Sequence, residues 1–193
     1  LVTPETARTL ALDRFVSLYE RRLLVRDPIT WLPPGNTEAV EQRFRFMEWE
    51  PAGRDSLARL IVRAYEGHVD SRINDQFTSE PGAAGFLRSL LQNEGCGEFF
   101  RPASLFAIDR RTEWLSGAIL TSFVAPDTAH ITQLCVAPET QGLGLGWELL
   151  RRALPALAET YGRRRALGAY FVIMFFAISV GFGYVFYLPD HPL

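Results

Sequence analysis

The chain has 193 residues, of which 48% are hydrophobic and 22% charged, and its formal net charge at pH 7 is −2. These values are typical of one globular domain with a substantial core, and they give no indication of a nucleic-acid partner. The sequence contains no lysine, which excludes a lysine Schiff base and a P-loop lysine. Two cysteines, Cys96 and Cys135, are too few for a disulfide framework or a zinc site, so we expect no metal and a reducing, cytoplasmic compartment.

The first half of the chain divides near residue 40. Residues 1–39 are predicted to be an N-terminal extension of uncertain role, with a turn or linker at WLPPGN (31–36). RFRFMEWE (43–50) then predicts a strand. Two amphipathic helices follow it, the first capped by Asp55 and the second by Ser79.

Three further strands are predicted at SLFAID (104–109), WLSGAILTSFV (114–124) and HITQLCV (130–136). The segments between them are short enough for hairpin loops, so neighbouring strands should run antiparallel. The element order therefore predicts an α+β fold in which a mainly antiparallel sheet is flanked by helices. Two tryptophans, Trp49 and Trp114, are expected in the core.

A glycine-rich loop, QGLGLG (141–146), joins the last of these strands to an amphipathic helix. The first N–H groups of a helix have no internal partner, and glycine lets a ligand approach the backbone closely, so this arrangement is typical of a phosphate-binding site. Neither nucleotide fingerprint fits, because Trp147 stands where G-x-G-x-x-G needs its third glycine and a P-loop needs a lysine.

The pattern that remains is Q-x-x-G-x-G, formed by Gln141, Gly144 and Gly146 and preceded by LCVAPE (134–139). With an amphipathic helix behind it, this stretch resembles the pyrophosphate loop of the GNAT superfamily of acyl-CoA N-acyltransferases. The resemblance covers roughly residues 44–161 in element order. It implies a GNAT-like fold, acetyl-CoA or another acyl-CoA as co-substrate, and direct transfer of the acyl group to a small-molecule or peptide amine.

The resemblance also implies which residues contact the cofactor. The end of the strand before the loop would pair its backbone with the pantetheine arm, and the N–H groups of the loop would hold the pyrophosphate. The residues concerned are Leu134, Cys135 and Val136 in the strand and Gln141, Gly142, Leu143, Gly144, Leu145 and Gly146 in the loop.

The catalytic groups are not identified by the motif. His130 is a candidate general base, with a structural role as the alternative, and Cys135 is interpreted as a small core residue and not as a nucleophile. The polar stretch YEGHVDSRINDQF (65–77) lies where the family often builds its acceptor site. Its candidate substrate contacts are Tyr65, His68, Asp70 and Asn74.

The C-terminal segment departs from the family. Residues 166–188 carry no charge and follow the basic RRR (163–165), which predicts a transmembrane helix with its basic flank in the cytoplasm. Two buried strands are the alternative, and a fusion or reading-frame error would also explain the break in composition. We therefore divide the chain into the extension at 1–39, an incomplete GNAT-like domain at 40–162 and a hydrophobic tail at 163–193.

Because the family's usual second half is not recognisable, a membrane-anchored module that binds CoA without turnover is the rival to an active enzyme. A truncated domain would also expose a strand edge, which a homodimer would cover.

Overall fold

A computed structural model describes residues 35, 37–92, 97–125 and 128–165 of the chain. Its helices are α1 Thr37–Arg43, α2 Arg54–Ala64, α3 Val69–Ile73, α4 Glu80–Gln92 and α5 Leu145–Arg165. Its strands are β1 Phe44–Glu48, β2 Glu98–Phe99, β3 Leu105–Asp109, β4 Leu115–Ala125 and β5 Thr128–Val136. The predicted strands and the two predicted helices α2 and α4 are all present, whereas the short elements α1, α3 and β2 were not predicted.

The five described strands form one antiparallel sheet. β4 is its longest strand and pairs with β5 along one edge, while β3 and then β2 pair along the other edge, and β1 lies outside β3. The hairpin connections between β3, β4 and β5 agree with the prediction from loop length. The fold is therefore the predicted α+β arrangement.

Buried side chains pack helices against both faces of this sheet. On one face, α1 and α5 contribute Val40, Leu149 and Leu157 to a cluster with sheet residues such as Ile119. On the other face, α2 and α4 contribute a second cluster, which contains Leu57, Leu60, Ile61, Leu87 and Leu90. Because helices cover both faces, β4 is buried almost throughout its length and shows no alternation of buried and exposed residues.

The two predicted helix caps have different outcomes. The hydroxyl of Ser79 accepts the N–H of Gly82 at 3.2 Å, which is the predicted N-terminal cap of α4. The prediction for Asp55 was wrong, because α2 already begins at Arg54 and its cap position is Gly53, which forms no side-chain cap bond. Asp55 lies instead in the first turn, where its negative charge stabilises the helix by interacting favourably with the positive end of the helix dipole.

Trp49 is buried as predicted, but Trp114 is not. Trp114 is 66% exposed at the hairpin between β3 and β4, directly after Glu113, whose φ is +57°. Trp114 lies in the hairpin loop, one residue before β4 begins at Leu115. Residues 166–188 lie outside the described residues, and none of the helices in the described ranges is long and apolar enough to cross a membrane.

Candidate cofactor site at the glycine loop

The antiparallel topology brings four strand ends to one end of the sheet. β1 begins there, β3 ends there, β4 begins there and β5 ends there, since Phe44 pairs with Asp109 and Gly117 pairs with Val136. The glycine loop leaves from the end of β5, so it lies beside the β3–β4 hairpin and the junction of α1 with β1. Segments that are distant in sequence thus meet around the loop.

The loop backbone requires two of its glycines. Gly142 and Gly144 have φ values of +76° and +85°, in the left-handed region that side-chain-bearing residues rarely adopt. A Cβ built on Gly144 would meet only Val40, at 3.9 Å, so the space in front of this residue is open. Gly146 differs, because its Cβ would point at Val136, 3.5 Å away, and its φ is not positive.

The loop is fixed from behind by two polar side chains. The Thr140 hydroxyl donates to the carbonyl of Ala137 at 3.0 Å, and the amide of Gln141 donates to the carbonyl of Val136 at 3.4 Å. In α5, the helix that follows the loop, the first backbone hydrogen bond is donated by the N–H of Glu148 to the carbonyl of Gly144. The N–H groups of Leu145 and Gly146 therefore have no acceptor within their own helix and are available to an anion.

The outer edge of β5 offers backbone groups next to the loop. The N–H of Ala137 donates to the carbonyl of Ser116 on β4. The alternation of an antiparallel ladder then directs the N–H and C=O groups of Leu134 and Val136 away from β4, whereas those of Cys135 face it. Of the three strand residues predicted to contact pantetheine, two present their backbone to this edge.

A β-bulge in β5 lies a few residues before the loop. Leu120 pairs with Gln133 and Thr121 pairs with Ile131, so Thr132 is the extra residue. Gln133 lies on the α2 face, as Cys135 does, and its amide donates to the Tyr65 hydroxyl at 3.2 Å. The bulge reverses the alternation before it, so that Ile131 packs on the α5 face.

A groove of about 520 Å³ lies between the loop and α1. Backbone of Gly142 to Gly144 forms one wall, and Arg43 and Arg111 are among the residues of the remaining walls. Arg43 ends α1, and Arg111 is in the β3–β4 hairpin. Sequence reasoning missed both arginines, because neither lies near the loop in the chain.

A buried carboxylate connects these two arginines. Asp109 accepts from Nε and Nη2 of Arg43 at 3.0 and 2.9 Å through Oδ2, and from the backbone N–H of Arg111 at 2.9 Å through Oδ1. Burial by itself raises the pKa of Asp109. The hydrogen bonds from Arg111 and Arg43 together lower the pKa by more than burial raises it, so the pKa of Asp109 lies below the ordinary value. Asp109 is therefore ionised at neutral pH and fixes one wall of the groove.

The predicted acceptor residues already have partners within the fold. Tyr65 is 2% exposed and stacks on Phe77, with ring centroids 4.3 Å apart. His68 caps α3 by accepting the N–H of Asp70 at 3.1 Å, and Asn74 caps the following 3-10 turn by accepting the N–H of Gln76. Asp70 is buried, with a carboxylate oxygen 3.6 Å from Nδ1 of His68. Their contact with substrate stays a prediction.

The two remaining candidates for chemistry are on β5. Burial raises the pKa of the Cys135 thiol to about 12, although hydrogen bonds with Gln133 and Ala118 lower it in part. A thiol that holds its proton at neutral pH is a poor nucleophile, in agreement with the prediction. His130 is buried in β5 opposite Ser122, two residues before the bulge, and its role as a base stays a prediction.

Comparison with known proteins identifies the family. The family model described as "Acetyltransferase (GNAT) family" matches residues 70–173, more than half of the chain. The chain belongs to the GNAT acetyltransferase family. The match contains the bulged strand, the glycine loop and α5, and it reaches eight residues past the end of α5.

Solved structures of low identity resemble this GNAT chain. A GCN5-related N-acetyltransferase from Sphaerobacter thermophilus is 17% identical over 65% of this chain and 34% of that one, with a TM-score of 0.45. The chain thus spans about a third of that protein. A GNAT acetyltransferase from Brucella melitensis, solved with acetyl-CoA, is 18% identical over 77% and 91% of the two chains, with a TM-score of 0.46.

A third resemblance is to a putative acetyltransferase from Pyrococcus horikoshii. It is 18% identical over 69% of this chain and 81% of that one, with a TM-score of 0.46. No curated protein matches this chain. Within the described residues there is also no group of three or more His, Cys, Asp or Glu side chains placed to hold a metal ion.

Proposed function

We propose that this GNAT chain is an acyl-CoA-dependent N-acyltransferase that moves an acetyl group from CoA to an amine. The observation that carries the proposal is the arrangement of three features within the region matched by the family model. They are a bulged strand whose outer edge pairs with no other described strand, a left-handed glycine loop and a helix N-terminus. An acyl-CoA needs all three, because its diphosphate requires N–H donors and its pantetheine amides require backbone partners.

The glycine loop would hold the diphosphate of CoA. N–H groups at Leu145 and Gly146 are available at the start of α5, and the open space before Gly144 leaves room for phosphate oxygens. Gln141 has a supporting role in this proposal, since its side chain ties the loop to the end of β5. The pantetheine arm would then run along Leu134 and Val136 towards the bulge at Thr132.

The reaction would take place beside the bulge. The amine nitrogen attacks the thioester carbonyl, a C–N bond forms, the C–S bond breaks, and CoA leaves as a thiolate that takes up a proton. Most of the rate enhancement in such a site comes from holding both reactants in line. His130 is our candidate for the group that accepts the proton of the amine, and the amine would enter near Tyr65 and His68.

The first experiment is calorimetric titration of acetyl-CoA into the full chain in detergent, followed by detection of free CoA thiol with a panel of amines. Micromolar binding with thiol release on addition of one amine supports the proposal. Binding without release by any amine would support the non-catalytic CoA-binding module instead. A folded chain that binds no acetyl-CoA would overturn both.

A further inference from the structure

We infer that Arg111 recognises the 3′-phosphate of the CoA ribose and makes the site selective for CoA over its 3′-dephospho form. This inference rests on the proposed function, because it assumes that the glycine loop holds the diphosphate. It adds a specificity residue that lies about thirty positions before the loop in the chain, in the β3–β4 hairpin.

The groove has the size and composition for the nucleoside end of the cofactor. Its volume of about 520 Å³ lies in the range of small-ligand sites. It begins at Gly142 to Gly144 and extends to α1 and the hairpin, and its lining includes two arginines but no acidic residue. A phosphorylated ribose attached to a diphosphate at the loop would therefore face positive charge.

The two arginines differ in how far their charge is already balanced. Asp109 accepts two hydrogen bonds from the Arg43 guanidinium. Towards Arg111 the same carboxylate accepts a hydrogen bond only from the backbone N–H, although its charge also attracts the guanidinium. Among the described residues no carboxylate lies within ion-pair distance of the Arg111 side chain. Arg111 thus has a fixed backbone and an exposed guanidinium at the groove.

The covalent structure of CoA decides which phosphate this guanidinium would meet. The 3′-phosphate is on the same ribose as the diphosphate. When the glycine loop holds the diphosphate, the 3′-phosphate is therefore separated from the loop by only one sugar ring. The loop and the helix N-terminus supply backbone donors for the diphosphate. A phosphate monoester with two charges is the group that gains most from an additional guanidinium.

The test compares CoA with 3′-dephospho-CoA by titration calorimetry on the full chain and on Arg111→Gln. Glutamine keeps the backbone N–H to Asp109 and removes the charge. We expect the variant to bind CoA about 10- to 100-fold more weakly, the range of a lost charge-assisted hydrogen bond, with the affinity for 3′-dephospho-CoA nearly unchanged.

The matched control is Arg110→Gln, which removes the same charge from the neighbouring exposed residue outside the groove lining. Its affinity for CoA should change by less than about threefold, because distant exposed charges are screened by salt.

If the glutamine variant at 111 melts well below the parent, Arg111→Lys replaces it and should keep most of the preference for CoA.

The outcomes separate this inference from the function it rests on. Equal weakening of both ligands in Arg111→Gln would mean that Arg111 contacts the diphosphate, and no weakening of either would mean that it contacts neither phosphate. Both results overturn the inference while wild-type CoA binding stands. If the wild-type chain binds neither ligand, the proposed function fails as well.

Discussion

Replacing Asp109 with asparagine tests whether one buried carboxylate holds the wall of the groove together. Asparagine can still accept the N–H of Arg111 through Oδ1, but it places an NH₂ group opposite the two N–H donors of Arg43. The Asp109 side chain is 4% exposed and that of Arg43 is 26% exposed, so solvent can compensate for the lost bonds only in part. Two charged hydrogen bonds in this setting give an expected loss of about 2–3 kcal/mol in the free energy of unfolding.

The assay is urea unfolding of the full chain and the variant at pH 7. The control is Glu113→Gln, which removes the carboxylate of the Arg45–Glu113 ion pair from the same hairpin. That pair is 3.4 Å long with side chains 47% and 70% exposed, so its loss should change the free energy of unfolding by less than about 1 kcal/mol. Equal effects of the two substitutions would refute the reasoning.

The pH dependence provides a second check with a defined sign. The folded-state pKa of Asp109 lies below its ordinary value of 3.8, so the unfolded chain takes up the proton first on acidification. The stabilisation is therefore complete well above pH 3.8 and is lost as the pH falls through the folded-state pKa. The difference in the free energy of unfolding between the parent chain and the Asp109→Asn variant should shrink below about pH 4. A difference that does not depend on pH would contradict an ionised Asp109.

Three further predictions concern single positions. Gly144→Ala should weaken acetyl-CoA binding and destabilise the fold by about 1–2 kcal/mol, because alanine is strained at φ +85°, whereas Gly146→Ala should leave titrated affinity nearly unchanged. Cys135 should react with a thiol reagent far more slowly in the folded than in the urea-unfolded Cys96→Ser chain, and equal rates would contradict its pKa of about 12. Pro155→Ala should raise the unfolding free energy by about 1–2 kcal/mol, because Pro155 is exposed inside α5 and lacks a helical N–H; a lower melting temperature would contradict this.

Local sequence was sufficient for the long elements and for the glycine loop. β4, β5 and α2 were predicted because their apolar patterns extend over several residues. Gln141, Gly144 and Gly146 were recognised from their spacing, but the left-handed conformation of Gly142 and Gly144 was not predicted. The short elements α1, α3 and β2 could not be predicted, since each helix has fewer than two turns and β2 has only two residues, too few to repeat an apolar pattern. Trp114 was misassigned because an apolar residue at a strand end looks the same in sequence whether or not the sheet has a layer above it.

The sequence by itself determined the order of the long elements, the family motif and the position of the glycine loop before a helix. Tertiary structure alone decided which side chains surround that loop. Antiparallel pairing brings the start of β1 and the end of β3 beside the end of β5, so Arg43, Asp109 and Arg111 meet the glycine loop across 30 to 100 positions of chain. The bulge at Thr132 likewise places Ile131 on the α5 face, through a register shift that depends on the partner strand. Such contacts are set by strand pairing, which a local pattern does not encode.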